Sequence, residues 1–149
     1  MVIIAVPSGG SGGLNELMFS RFGRCPSFTF VNVENKEIRE VKTFPNPASG
    51  AMGGAGIQAA QMIANNDAEE LIVGFLGPNA AQSLNALNVK IYQAPNQELT
   101  IKEVIDLHLK GKLQIITSAN VGAHQGTGGG RGRGRGYGIG RGMGGSPRI

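Results

Sequence analysis

An α/β domain built on a mixed sheet is the fold class that this sequence predicts, and three observations lead there. Short continuous apolar runs bounded by glycine and proline, such as Val2-Ile3-Ile4-Ala5-Val6, have the character of strands buried on both faces. A segment of imperfect alternation surrounds the polar turn Glu34-Asn35-Lys36-Glu37 and marks a hairpin. Segments with apolar residues at helical spacing separate the later strands, as crossover connections require.

Val2 to Val6 is the first strand, stopped by Pro7 and a Gly/Ser cluster. Ser8 to Gly13 reads as a flexible loop, and Leu14 to Ser20 has no clear period and is expected to be irregular. Phe28, Phe30 and Val33 precede the hairpin turn; Ile38, Val41 and Phe44 follow it, with a break in alternation that predicts a β-bulge. Pro45-Asn46-Pro47 ends the second arm, because proline supplies no ladder donor and restricts the residue before it.

From Gly56 onward Ile57, Ala60, Ile63 and Ala64 lie on one helical face, and Asn65-Asn66-Asp67 is a polar stop. Leu71 to Phe75 is a second buried strand. Pro78 occupies a first helical position, with Ala81, Leu84 and Leu87 behind it. Val89 to Tyr92 forms another strand. Thr100 and Glu103 have the spacing of a capping box for a helix through Ile101, Val104, Ile105 and His108, which Gly111 ends. The order β, β, β, α, β, α, β, α predicts a mostly parallel sheet, made mixed by the hairpin and covered by helices. Ligands in such sheets collect beyond the carboxyl ends of the parallel strands.

Charge divides the chain of 149 residues. All ten acidic residues and nine of the fourteen basic ones lie in residues 1–118, so the body carries about −1. The other five, Arg131, Arg133, Arg135, Arg141 and Arg148, lie in a Gly-rich C-terminal stretch that carries +5. Residues 1–118 have enough apolar content for one modest core. Residues 119–149 lack the apolar surface needed to offset the entropy of ordering and are expected to be a disordered tail.

A lone Cys25 forms no internal disulfide, and Met1 to Val6 is too short and uncharged for a signal peptide, so the expected location is the cytoplasm. No apolar run approaches the roughly 20 residues needed to cross a bilayer, which argues against a membrane role.

Three glycine-bearing segments fall where loops meet regular elements: Arg21-Phe22-Gly23-Arg24-Cys25, Gly53-Gly54-Ala55-Gly56-Ile57 and Gly74-Phe75-Leu76-Gly77-Pro78-Asn79. The second and third open helices, whose exposed amides and positive dipole ends attract anions. The bland reading of either glycine cluster alone is a tight turn. Two helix starts at one sheet edge, with the guanidinium groups of Arg21 and Arg24 beside them, point instead to one pocket for an anion. Cys25 would serve as a soft metal ligand if its cationic neighbours lowered its pKa; the plain alternative is a packed thiol. Met18 and Met52 would add soft sulfur at the rim, or simply pack. His108 reads as a helix-end residue and His124 as an auxiliary ligand.

Other chemistries find little support. No Lys-Ser or Lys-Thr follows spaced glycines as a P-loop needs, and Gly9-Gly10-Ser11-Gly12-Gly13 fails as a dinucleotide fingerprint. No carboxylates cluster in the two apolar strands for two-metal hydrolysis, and neither histidine pairs with Cys25 in an interpretable pattern. Binding is favoured over catalysis.

Taken together, Arg21-Phe22-Gly23-Arg24-Cys25-Pro26 with Phe28, Gly53-Gly54-Ala55-Gly56-Ile57, Gly77-Pro78-Asn79-Ala80 and the helix ending at Gly111-Lys112-Leu113 make the chain resemble the dinitrogenase iron-molybdenum cofactor biosynthesis family. That family includes NifX-like proteins and the C-terminal domain of NifB-like proteins, and the resemblance spans roughly residues 1 to 115. It implies a three-layer α/β/α architecture with a ribonuclease H-like motif and a five-stranded mixed sheet, without ribonuclease activity. It also implies binding or carriage of an iron-sulfur, iron-molybdenum or related cluster, exchanged with a donor or acceptor protein.

Carried onto this sequence, the cofactor-binding residues are Arg21, Arg24, Cys25, Gly53, Gly54, Gly56, Gly77 and Asn79, with Cys25 as the metal ligand. Nitrogenase-associated relatives commonly have a histidine before the Phe-Gly pair, where this chain has Arg21. Two rival readings stand beside this one. In the first, the tail binds nucleic acid through Arg131, Arg133, Arg135 and Arg141, with Tyr137 as a stacking surface. In the second, the helix starts bind phosphate or a nucleotide.

Overall fold

A computed structural model of the chain describes residues 1–48, 50 and 54–120. Strands β1 (Val2–Ser8), β2 (Ser27–Glu34) and β3 (Glu37–Pro45) precede helix α1 (Ala55–Asn65). Then follow β4 (Glu70–Val73), α2 (Pro78–Ala86), β5 (Lys90–Gln93), α3 (Ile101–Leu109) and β6 (Gln114–Ile116). The six strands make one mixed sheet in the order β3-β2-β1-β4-β5-β6.

Only two pairings, β1 with β4 and β4 with β5, are parallel; the other three are antiparallel. The expectation of a mostly parallel sheet is corrected, because β6 turns back against β5 as the hairpin does against β1. The five strands implied by the resemblance become six for the same reason.

The hairpin turn forms as its residues dictate. Asn35 and Lys36 both take left-handed backbone angles (φ 54° and 63°), the pattern of a turn whose twist matches the strands it joins. A register shift between Asn32 and Val33 is the bulge. α3 carries the full capping box: the Glu103 amide donates to the Thr100 hydroxyl at 3.2 Å, and the Glu103 carboxylate accepts from the Thr100 amide at 2.8 Å.

The alternating sides of the strands feed two cores. Ala5, Phe28, Phe30, Leu71, Val73 and Ile91 pack against Ala59, Ala60 and Ile63 of α1 and Ala81 and Leu84 of α2. Ile4, Val6, Val31, Val33 and Ile72 pack against Ile101, Val104 and Ile105 of α3. The result is three layers, with α1 and α2 on one face of the sheet and α3 on the other. Among the described residues, no helix is long and apolar enough to cross a membrane.

Candidate functional site

β1, β4 and β5 run parallel, so their carboxyl ends share one edge of the sheet; Ser8 at the end of β1 pairs with Ser27 at the start of β2, and Ser27 with Pro45. The segment before β2, the loops after β4 and β5 and the approach to α1 therefore gather at that edge. Backbone contacts tie them together. Arg21 bridges Phe75 in parallel fashion, the Phe22 amide donates to the Phe75 carbonyl at 3.1 Å, and the Phe75 amide donates to the Ser20 carbonyl at 2.6 Å.

Two glycines allow the helix starts to close on this segment. A Cβ on Gly23 (φ 95°) would lie 3.2 Å from the Gly56 nitrogen, and a Cβ on Gly56 would lie 2.9 Å from the Cβ of Ala80. Arg21-Phe22-Gly23, the first turn of α1 and the first turn of α2 thus form a stack at backbone contact distance. Gly54 caps α1 in a left-handed conformation and Gly77 caps α2 in an extended one, and neither helix has a side-chain cap. The amide-bearing first turns, Ala55-Gly56-Ile57 and Asn79-Ala80, present two positive dipole ends side by side. Arg21 and Arg24 are exposed at the same turn, whose Arg24 amide donates to the Arg21 carbonyl at 3.4 Å. This arrangement suits an anion.

Cys25 behaves otherwise than the sequence reading required. Its side chain is fully buried in the core with Phe22 and Phe28, and burial pushes the thiol up to about 12. Arg21 and Arg24 do not hold it as a thiolate; both are exposed residues, while Cys25 turns inward. Asn46 Nδ2 donates to Cys25 Sγ at 3.7 Å, and also to the carbonyls of Gly23 at 3.1 Å and Cys25 at 3.0 Å. The packed-thiol alternative describes this conformation. Among the described residues, no group of three or more His, Cys, Asp and Glu gathers as a metal site.

Asn46 and Asn120 are organisers that the sequence reading did not single out. Asn46 Oδ1 accepts from the Ala48 amide at 3.0 Å, so this one buried side chain ties the Gly23-Cys25 turn to the loop leading toward α1. Asn120 Nδ2 donates to the Gly74 carbonyl at 2.7 Å and to Gln93 Oε1 at 2.6 Å, while its Oδ1 accepts from the Leu76 amide at 2.7 Å. A second backbone bond, Asn120 amide to Leu76 carbonyl at 3.0 Å, completes the clamp. The only available signal for Asn46 was its place between two prolines. Asn120 carried none.

Met18 lines a separate cavity of about 170 Å³ with Phe75 and Gln93. His108 binds Glu70 through Nε2 at 2.7 Å and packs edge-on against Tyr92, away from the helix starts. Gly53, Met52 and His124, and the tail residues Arg131, Arg133, Arg135, Tyr137 and Arg141, lie outside the described residues.

The family model for the dinitrogenase iron-molybdenum cofactor matches residues 1–111. An uncharacterized protein of Methanocaldococcus jannaschii, MJ0580, is 36% identical over 100 residues, covering 67% of this chain and 83% of its own length. Two solved structures are similar over about four fifths of this chain. The apo form of the orange protein from Desulfovibrio gigas is 34% identical with a TM-score of 0.73, over 80% of this chain and 97% of that one. A Thermotoga protein described as a candidate NifB protein is 30% identical with a TM-score of 0.67, over 79% of this chain and 96% of that one.

Proposed function

Because the chain belongs to the dinitrogenase iron-molybdenum cofactor family, we propose that it binds or carries an anionic metal-sulfur cofactor, of iron-sulfur or iron-molybdenum type, during cluster assembly or delivery, without catalysing a reaction. The observation that carries this reading is the abutment of two helix starts without side-chain caps beside Arg21 and Arg24. A cluster bearing its own sulfides has negative charge spread over several acceptors. Amides at 55–57 and 79–80 are fixed by their helices, and the exposed guanidinium groups of Arg21 and Arg24 add positive charge at the cost of ordering their side chains.

Capture is electrostatic in this proposal, through Arg21, Arg24, Gly53, Gly54, Gly56, Gly77 and Asn79. Cys25 supports the turn from behind. Ligation by Cys25 would require that turn to open and the thiol to lose its proton, both opposed by burial. The reading includes a ribonuclease H-like scaffold, a cytoplasmic location, a Gly/Arg-rich C-terminal stretch and a protein that donates or receives the cluster; the scaffold runs past the expected boundary at 118, because Ala119 packs on the core and Asn120 clamps Leu76 and Gly74.

Anaerobic mixing of the full chain with iron-sulfur or molybdenum-sulfur species, followed by desalting and metal analysis, tests it. Retention by the wild type and by Cys25→Ser, with loss in the Arg21→Gln/Arg24→Gln double variant, is the expected result. A protein that emerges without metal or visible absorbance refutes the proposal.

A further inference from the structure

The chain is pinned at the point where it leaves the sheet. The Asn120 amide donates to the Leu76 carbonyl at 3.0 Å, and Asn120 Oδ1 accepts from the Leu76 amide at 2.7 Å. Asn120 Nδ2 donates to the Gly74 carbonyl and to Gln93 Oε1. Three residues earlier, the Thr117 carbonyl accepts from Asn85 Nδ2 of α2 at 2.8 Å. Leu76 immediately precedes Gly77, the cap of α2, and Ala80 in the first turn of that helix meets Gly56 of α1. Residues beyond 120 are thus tethered beside the two helix starts, at the carboxyl edge of the parallel strands.

What is tethered there is basic. Residues 121–149 hold five arginines and no acidic residue, whereas the body carries about −1. Arg131, Arg133 and Arg135 alternate with glycine. Residues two apart share one side of an extended chain at intervals of about 6–7 Å, and glycine between them lets backbone amides approach an anion as well. The family match ends at residue 111, so this stretch lies outside what defines the family.

Eleven residues separate Arg131 from Asn120. A Gly-rich chain of that length has a root-mean-square span of about 17–20 Å, which brings these guanidinium groups back over the edge from which they start. Tethering makes such a contact intramolecular, at an effective concentration on the order of millimolar. An anionic cluster has acceptors on all its faces, and the helix starts with Arg21 and Arg24 meet it from the protein side alone.

We infer that the Arg/Gly stretch is the second half of the anion site: Arg131, Arg133 and Arg135 close over the metal-sulfur anion held at the helix starts and slow its release. This deepens the cofactor reading and rests on it. The fixed amides set where the anion sits, and the stretch sets how long it stays.

Anaerobic amide NMR of the labelled full chain, with tetrathiomolybdate as the probe, tests the inference. Tyr137→Cys carries a maleimide nitroxide, while buried Cys25 stays protonated and unmodified. Adding the anion should broaden Gly56, Ile57, Asn79 and Ala80 and spare Asn35 in the hairpin turn at the opposite edge. In the unlabelled chain, Arg131→Gln/Arg133→Gln/Arg135→Gln should weaken binding at least tenfold and speed dissociation, with the same four amides still shifting at saturation. Removing three exposed charges at the far edge, by Lys90→Gln/Lys110→Gln/Lys112→Gln, should change affinity less than twofold.

A wild-type protein whose helix-start amides ignore the anion would refute the cofactor reading, and this inference with it. Saturable binding at those amides without broadening, with unchanged affinity in the arginine variant, or with equal weakening in the lysine variant would overturn the role of the stretch alone. If affinity is unchanged and the arginine variant instead loses binding to single-stranded RNA, the stretch serves nucleic acid.

Discussion

Gly56 stands so close to Ala80 that a methyl group on the glycine would lie 2.9 Å from the alanine Cβ. The first turns of two helices touch because one has no side chain and the other only a methyl. Gly56→Ala should therefore push α1 from α2 and cost about 1–3 kcal/mol as an overpacked contact. Gly54 differs: a Cβ there meets nothing within 4 Å, but its φ of 73° is left-handed. Gly54→Ala should cost about 1 kcal/mol, and Gly54→Asn less, since asparagine visits that region more readily. Thermal and denaturant unfolding of the three variants would show whether the Gly56 penalty is steric and the Gly54 penalty conformational.

Cys25 predicts a pH dependence. Its thiol is held protonated up to about 12 in the folded protein, above its ordinary value of 9.0. Below the ordinary value both states keep the proton and the thiol contributes no pH dependence. Between about 9 and about 12 the unfolded chain ionises first, so stability falls as pH rises, by about 1 kcal/mol at pH 10. Subtracting the profile of Cys25→Ala removes the contributions of lysine and tyrosine. The native thiol should also resist iodoacetamide at pH 8 and react promptly in urea; a freely reactive native thiol would contradict the packed state.

Asn120 should act as a remote support for α2. Its side chain satisfies Leu76 N–H and the Gly74 carbonyl at once. Asn120→Ala leaves these groups short of a partner and should cost about 1–3 kcal/mol. Hydrogen exchange at the Leu76 amide should accelerate well beyond the change at Ile72, in the centre of the sheet. Uniform acceleration would mean that the residue merely contributes global stability.

What could be read from the sequence was largely local. Thr100 and Glu103 are three residues apart and satisfy each other, and Pro78 can start a helix because its missing N–H has no partner there anyway. The turn at Asn35-Lys36 likewise depends on its own backbone preferences. β6 escaped notice because Gln114–Ile116 is three residues long and acquires its strand character only by pairing with β5. Leu14 to Ser20 has no period in sequence and no helix or strand in the fold, where isolated bridges join Leu17 to Thr100 and Met18 to Ser8.

At the candidate site the three glycine segments were visible as segments, and their contacts are backbone to backbone. The inward turn of Cys25 was not legible: it depends on Asn46, twenty-one residues away, and on a core assembled from both β2 and α1. Positive charge next to a thiol in sequence says nothing about which of them faces water.

If the two adjoining helix starts hold an anionic metal-sulfur guest, titration of the labelled protein with tetrathiomolybdate under anaerobic conditions should produce saturable amide NMR shifts concentrated at Gly56, Ile57, Asn79 and Ala80. Replacing Arg21 and Arg24 together by glutamine should remove that response. Saturable shifts confined to other faces of the protein, with these four amides unmoved, would show that the helix starts do not hold the guest.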